Sequence, residues 1–332
     1  MAGTSIKDLL AGIARKDFVI LGRAGMDMFA HPPGVKSEEA EVFHADLGGS
    51  SANIAAGLCK LGCQASLVTS VSDDAVGRFC INKLKHYGVD TRYVRSVGGE
   101  FRNSLAVYES CIEDFQNVIY RNGAADFEVT KEDMAAVDFA PFGALVTAGT
   151  VFAADPSRGA TFDAFDRAGA MGLPVIFDID YRPYSWPSAE VAADVLSRAG
   201  AASDMIVGND EEFGFMAGDM AKGLEKAQAL AEAGVAIVIY KMGEKGAVTF
   251  AGGQEIHTGI YPVEAVKPNG AGDSFMAGLL SGLAEGLDLR AAVLRGSACA
   301  SIVVSKPGCA PAMPTHAQLA DFLENHPGPT EA

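Results

Sequence analysis

Asn269-Gly270-Ala271-Gly272-Asp273-Ser274-Phe275 puts a glycine-rich turn and one carboxylate at the start of an apolar helix. Phe275, Leu279 and Leu283 recur four apart, and Met276 and Leu280 widen the stripe, so the spacing predicts a helix whose first turn lies near residues 271–274. Free backbone N–H groups and the positive end of the helix dipole make such a turn attractive to an anion. Glycines let a phosphate come close to the backbone. Asp273 would sit beside that anion, able to take the proton of an alcohol. The plain alternative is that Asp273 only caps the helix.

Working outward, Gly48-Gly49-Ser50-Ser51-Ala52-Asn53 precedes a second helical pattern, with Ile54, Leu58 and Leu61 on one face and Gly62 as its stop. Two glycines followed by an inward Asn suit close approach to a hydroxylated ligand. Alone, such a turn is usually just a turn.

Together the two segments resemble the two signatures of the ribokinase-like, or PfkB, family of carbohydrate kinases. Residues 48–62 are similar to the first signature and residues 270–282, with their Gly-Ala-Gly-Asp core, to the second. Between them Asn209-Asp210-Glu211-Glu212 matches the family's Asn-x-x-Glu magnesium motif. Lys241-Met242-Gly243-Glu244-Lys245-Gly246 resembles its nucleotide-side glycine loop, and residues 300–314 its adenine-flanking tail. The order of the motifs is the family's order, and they extend along nearly the whole chain.

The composition agrees. The chain has 332 residues, 49% of them hydrophobic, and no interior stretch reads as a linker, so one main α/β domain spanning 1–332 is expected. A formal charge of −16 without runs of Lys or Arg disfavours nucleic acid and anionic lipid as partners. The longest apolar runs fall short of the roughly 18 residues of a membrane span. Six cysteines, at 59, 63, 80, 111, 299 and 309, show no metal-ligand spacing and read as buried free thiols of a cytoplasmic protein.

Short apolar runs at 18–21, 66–71, 144–148, 174–179, 205–207 and 236–240 suit buried strands, and helical patterns at 161–171, 189–199 and 222–233 lie between them. This alternation predicts a doubly wound parallel sheet. Residues 23–47 and 93–123 break the rhythm and are expected to pair into a small accessory sheet. In the family such a sheet is a lid over the sugar, and the resemblance implies a homodimer through it.

Phosphoryl transfer needs a base, an anion cradle and charge neutralisation. Asp273 is the candidate base, and the backbone N–H groups of Gly270, Ala271 and Gly272 are the cradle. The resemblance implies ATP and Mg2+ as cofactors, Asn209 and Glu212 on the metal, partly through water, and Lys241, Gly243, Gly246 and Asn269 on the nucleotide side. It places Asp27, Gly48, Gly49 and Asn53 on the sugar hydroxyls. Arg121 and Arg182 lie where acid-sugar members place carboxylate-binding arginines, and the planar guanidinium fork suits a carboxylate. Surface arginines with only a structural role are the alternative.

The resemblance therefore implies phosphorylation of the C6 hydroxyl of 5-dehydro-2-deoxy-D-gluconate, a step of inositol catabolism. Rival acceptors are 2-keto-3-deoxygluconate and a neutral sugar such as fructose or ribose. Many members read Asp-Thr-Thr where this chain reads Lys267-Pro268-Asn269, and that stretch normally helps hold a monovalent cation. Its loss puts K+ activation in doubt, and the Lys267 ammonium is a candidate replacement; a solvent-exposed lysine is the alternative. A non-catalytic sugar-acid sensor is a reading of another class. A dinucleotide-dependent dehydrogenase and a P-loop ATPase are disfavoured because both fingerprints are missing.

Overall fold

The computed structural model describes residues 4–109 and 116–331. In chain order its strands are β1 (Asp17–Leu21), β2 (Gly25–His31), β3 (Val42–Gly48), β4 (Gln64–Ser72), β5 (Val94–Val97), β6 (Leu105–Tyr108), β7 (Asn117–Tyr120), β8 (Ala144–Ala148), β9 (Val175–Asp178), β10 (Met205–Asn209), β11 (Ile237–Lys241), β12 (Ala247–Ala251) and β13 (Gln254–Thr258). Nine form one sheet in the order β13-β12-β11-β10-β9-β8-β1-β4-β5. The pairings from β11 to β5 are parallel, and β12 and β13 add an antiparallel edge.

Parallel strands covered on both faces must be apolar on both, which is why these segments read as continuous Val/Ile/Leu runs. Ile20, Val146, Ile176 and Ile239 enter the core on one face. Val19, Leu145, Phe177 and Val238 enter the core on the other. From β1 the chain winds outward through β4 and β5 on one side and through β8 to β13 on the other. The reversal between β1 and β8 opens a crevice at the strands' carboxyl ends, where ligands of such sheets bind.

The segments that break the rhythm supply a second sheet, ordered β3-β2-β6-β7. Asp27 pairs with Asp46 and Ala106, and Tyr108 with Phe29 and Asn117, so Asp27, Tyr108 and Asn117 share a face. Residues 94–97, expected with this insertion, instead extend the main sheet, with Thr69 opposite Val94. Pairing there satisfies the outer edge of β4 and buries Val97.

Cys63, Cys80, Cys299 and Cys309 are buried and Cys59 is half-buried, all as free thiols; Cys111 lies outside the described residues. No helix among the described residues is long and apolar enough to cross a membrane.

Just beyond β8, Gly149 packs so closely on the loop after β9 that an added Cβ would lie 2.0 Å from the Ile179 carbonyl oxygen. Gly149→Ala is expected to destabilise the protein by about 1–3 kcal/mol, read as a lower midpoint of urea unfolding. An unchanged midpoint would mean that this loop yields freely.

Candidate active site

The helix Ala271–Ala284 begins as its sequence predicts, but its N-cap is Gly270, in the left-handed conformation (φ 81°), and no side chain caps the turn. Asp273 is therefore not the cap. Its carboxylate accepts the Ser50 hydroxyl at 2.6 Å and the Asn53 amide at 2.8 Å. Both donors lie in the first turn of the helix Ser50–Lys60, which is also uncapped and begins at Gly49 (φ 99°). Two bare helix starts thus face one carboxylate. Burial raises the Asp273 pKa and Asp180 adds to the rise, while the bonds from Ser50 and Asn53 lower it.

A cavity of about 340 Å³ opens beside Asp273, lined in part by Asp27, Gly49, Asn53, Arg121, Arg182, Asn269 and Gly270. Gly48 is not in the lining. It makes room for Asp27, because a Cβ there would lie 1.9 Å from Asp27 Oδ1. Asn53, expected beside Asp27, turns its amide to Asp273 and leaves its own Oδ1 unpartnered.

Several residues lining this cavity carry buried polar atoms with no hydrogen-bond partner. Asp27 Oδ1 and Asn53 Oδ1 are free acceptors, Arg121 Nε and Nη1 and Asn269 Nδ2 are free donors, and Thr150 Oγ1 and Ser185 Oγ can serve as either. Leaving each unsatisfied costs about 1–3 kcal/mol, so their concentration in residues around one cavity fits a polar ligand there.

Of the two predicted arginines one is buried, and the other is exposed but paired. Arg121 is buried, bonded to Asp126 at 2.5 Å and to the Thr150 carbonyl at 3.0 Å. Arg182 pairs with Asp180 at 2.7 Å. Arg23, which was not singled out in the sequence, is a third lining arginine, buried and bonded to Ser104 Oγ at 2.8 Å. Its position directly after the apolar run of β1 was the available signal. Asp180, Tyr108 and Tyr184 also line the cavity and were likewise not foreseen.

Lys267 is not a surface lysine. It is 1% exposed, and its Nζ donates to the Asn269 carbonyl at 2.5 Å, at the entry to the glycine turn. Burial pulls its pKa down, against the nearby Cys309, Asp273 and Asp27. Lys241 reaches the same turn from β11, since a Cβ on Gly272 would lie 3.7 Å from its Nζ. Gly243 (φ 56°) and Gly246 (φ 84°) shape the β11–β12 turn outside the cavity lining. A Cβ on Gly246 would lie 2.0 Å from the Thr258 carbonyl oxygen.

Asn209 and Glu212 form a reciprocal capping box on the helix Asp210–Ala217, each bonded to the other's backbone N–H at 2.8 Å. The acidic run is therefore a helix start rather than a solvated loop. The box uses Glu212 Oε2. Asp178, at the end of β9, is buried with its pKa well above the usual carboxylate range, because of burial and the nearby Glu212 charge, against Lys241. Two buried carboxylates in mutual repulsion are hard oxygen donors that fit Mg2+ held partly through water.

The profile described as pfkB family carbohydrate kinase matches residues 15–316. The chain belongs to that family. The kinase is 36% identical over 313 residues to a 5-dehydro-2-deoxygluconokinase of Photobacterium profundum, covering 93% of this chain and 95% of that protein, and is a sugar kinase of that kind. Its fold matches a putative ribokinase II of E. coli in complex with ATP and Mg2+, with TM-score 0.83, 20% identity and coverage of 93% and 99%. It also matches a fructokinase double mutant of Vibrio cholerae bound to fructose, ADP and potassium, with TM-score 0.81, 23% identity and coverage of 97% and 99%.

Asp27 is 1% exposed. Burial, tempered by Arg23, pushes its pKa from 3.8 up to about 7. Ionising it therefore costs the folded state, so its contribution to stability is complete below about pH 4 and is lost as pH rises toward 7. Asp27→Asn removes that cost, so the variant of this kinase should match the wild type near pH 4 and exceed it near pH 8 by on the order of 2–4 kcal/mol. Urea unfolding at the two pH values checks this. Equal stability at both would show that Asp27 stays solvated.

Proposed function

We propose that the cavity receives 5-dehydro-2-deoxy-D-gluconate and that its C6 hydroxyl takes the γ-phosphate of ATP, a step in the breakdown of inositol. The observation that carries this is the polarity of the unsatisfied atoms. Arg121 Nε and Nη1 are donors suited to a carboxylate, whereas Asp27 Oδ1 and Asn53 Oδ1 are acceptors suited to hydroxyls. Asp273, in the same cavity, takes the proton of the reacting hydroxyl. The freed oxygen bonds to the γ-phosphorus as the bond to ADP breaks. The bare turn at Gly270, Ala271 and Gly272, with Lys241 beside it, meets the negative charge of the transferred group.

Mg2+, held by Glu212 and Asn209 with Asp178 behind them, would neutralise phosphate charge when bound. The second sheet acts as a lid that excludes water, a competing acceptor. Its support is that Asp27, Tyr108, Asn117 and Ile119 all line the cavity.

A second reading is favoured by the ion pairs Arg121–Asp126 and Arg182–Asp180, which already neutralise both guanidinium groups. A neutral sugar would then suffice. ADP release with Mg-ATP across 5-dehydro-2-deoxygluconate, 2-keto-3-deoxygluconate, fructose and ribose separates the readings. Preference for the first is expected, and preference for fructose or ribose would make the arginines structural. Asp273→Asn should abolish turnover while largely keeping acceptor binding, and near-normal turnover would refute its role as base.

Lys267 supplies the glycine turn with its own cation, in place of the potassium carried by the Vibrio cholerae fructokinase. Its support is complete burial and the bond to the Asn269 carbonyl. Rates in potassium chloride and in tetramethylammonium chloride at equal ionic strength should agree. Strong potassium dependence would sink the idea.

A further inference from the structure

We propose that Asp180 is a positioning residue whose buried carboxylate holds Arg182 at the wall of the cavity that Asp273 also lines. The proposal rests on the reading of Asp273 as the base. Among the described residues only Lys16 and Asp180 are non-glycines with positive φ, and Asp180 has φ 34°. Such a backbone persists only where its surroundings enforce it, and it concentrates at functional sites. Here the turn follows the apolar end of β9 and delivers a side chain 6% exposed, bonded to Arg182 Nη2 at 2.7 Å. Both residues line the cavity with Asp273.

After burial, Asp180 is the largest influence raising the proton affinity of Asp273, and Arg182 opposes it. The other charged and titratable groups around Asp273 are Asp27 on β2, Asp178 on β9, Lys267 before the glycine turn, Lys241 on β11 and Cys309 near the C-terminal end. The proton affinity of Asp27 is raised by burial, Asp273 and Asp46 and lowered by Arg23 and Lys267.

The test is the pH profile of kcat/KM in two variants. Asp180→Asn keeps a residue type that tolerates positive φ and removes the negative charge. The acid limb of its profile should move down by about one pH unit, and KM for the sugar acid should rise as Arg182 loses its anchor. Arg182→Gln removes the opposing charge and should move the same limb upward, a result that holds the proposal to account even if Asp180→Asn does not fold. Limbs that stay in place in both variants, with rates merely lowered, would overturn the proposal. Turnover surviving in Asp273→Asn would instead overturn the base reading, a distinct result.

Discussion

The carboxylate of Asp273 joins two helix starts that are 223 and 220 residues apart along the chain, through Ser50 and Asn53. Hydrogen bonds to a charged group contribute about 1.5–3 kcal/mol each, which offsets much of the cost of burying the carboxylate. Without them the group would resist ionisation, and the two glycine turns would have no fixed relation. The cavity is defined by that relation: Asp27 and Arg23 follow from the segment before the first turn, while Asn269 and Lys267 precede the second.

An overall charge of −16 is a poor start for a protein that binds a nucleotide, and the site resolves this locally. Surface charge is screened within about 8 Å at physiological salt, so what matters is the set of cations close to the site. Lys267, Lys241, Arg121 and Arg182 bring cations to the cavity and to its glycine turn, each within reach of a carboxylate that limits its own desolvation cost. Arg182 and Asp180 show the logic most plainly. The pair is neutral as a unit, yet its two charges act on Asp273 in opposite directions.

The parallel sheet was legible because buried strands must be apolar on both faces, and Phe18-Val19-Ile20-Leu21 has no other comfortable state. The glycine turns were legible because their residues tolerate few alternatives. Partnership inside the site was not. Asn53 bonds Asp273 rather than assisting Asp27, and nothing in the spacing of residues 48–53 distinguishes the two. Arg23 and Asp180 were passed over because a single charge after a strand is common, and only the fold shows which of these charges face inward. Val94–Val97 joined the main sheet because the open edge of β4 was invisible until the strands were ordered.

The site also concentrates the unfavourable terms of the molecule. An ionisable Asp27 that resists its charge and a non-glycine residue at φ 34° line one cavity, and a lysine buried at 1% exposure bonds the backbone of Asn269 beside it. Each would be removed by selection for stability alone, and the two apolar layers flanking the sheet are extensive enough to carry them. A ligand that donates to Asp27 and accepts from Arg121 relieves these terms only when both ends are engaged. Binding energy is then tied to the full length of the acceptor, and a shorter or differently charged sugar leaves buried groups unanswered. In the proposed function, specificity rests on these same unsatisfied atoms.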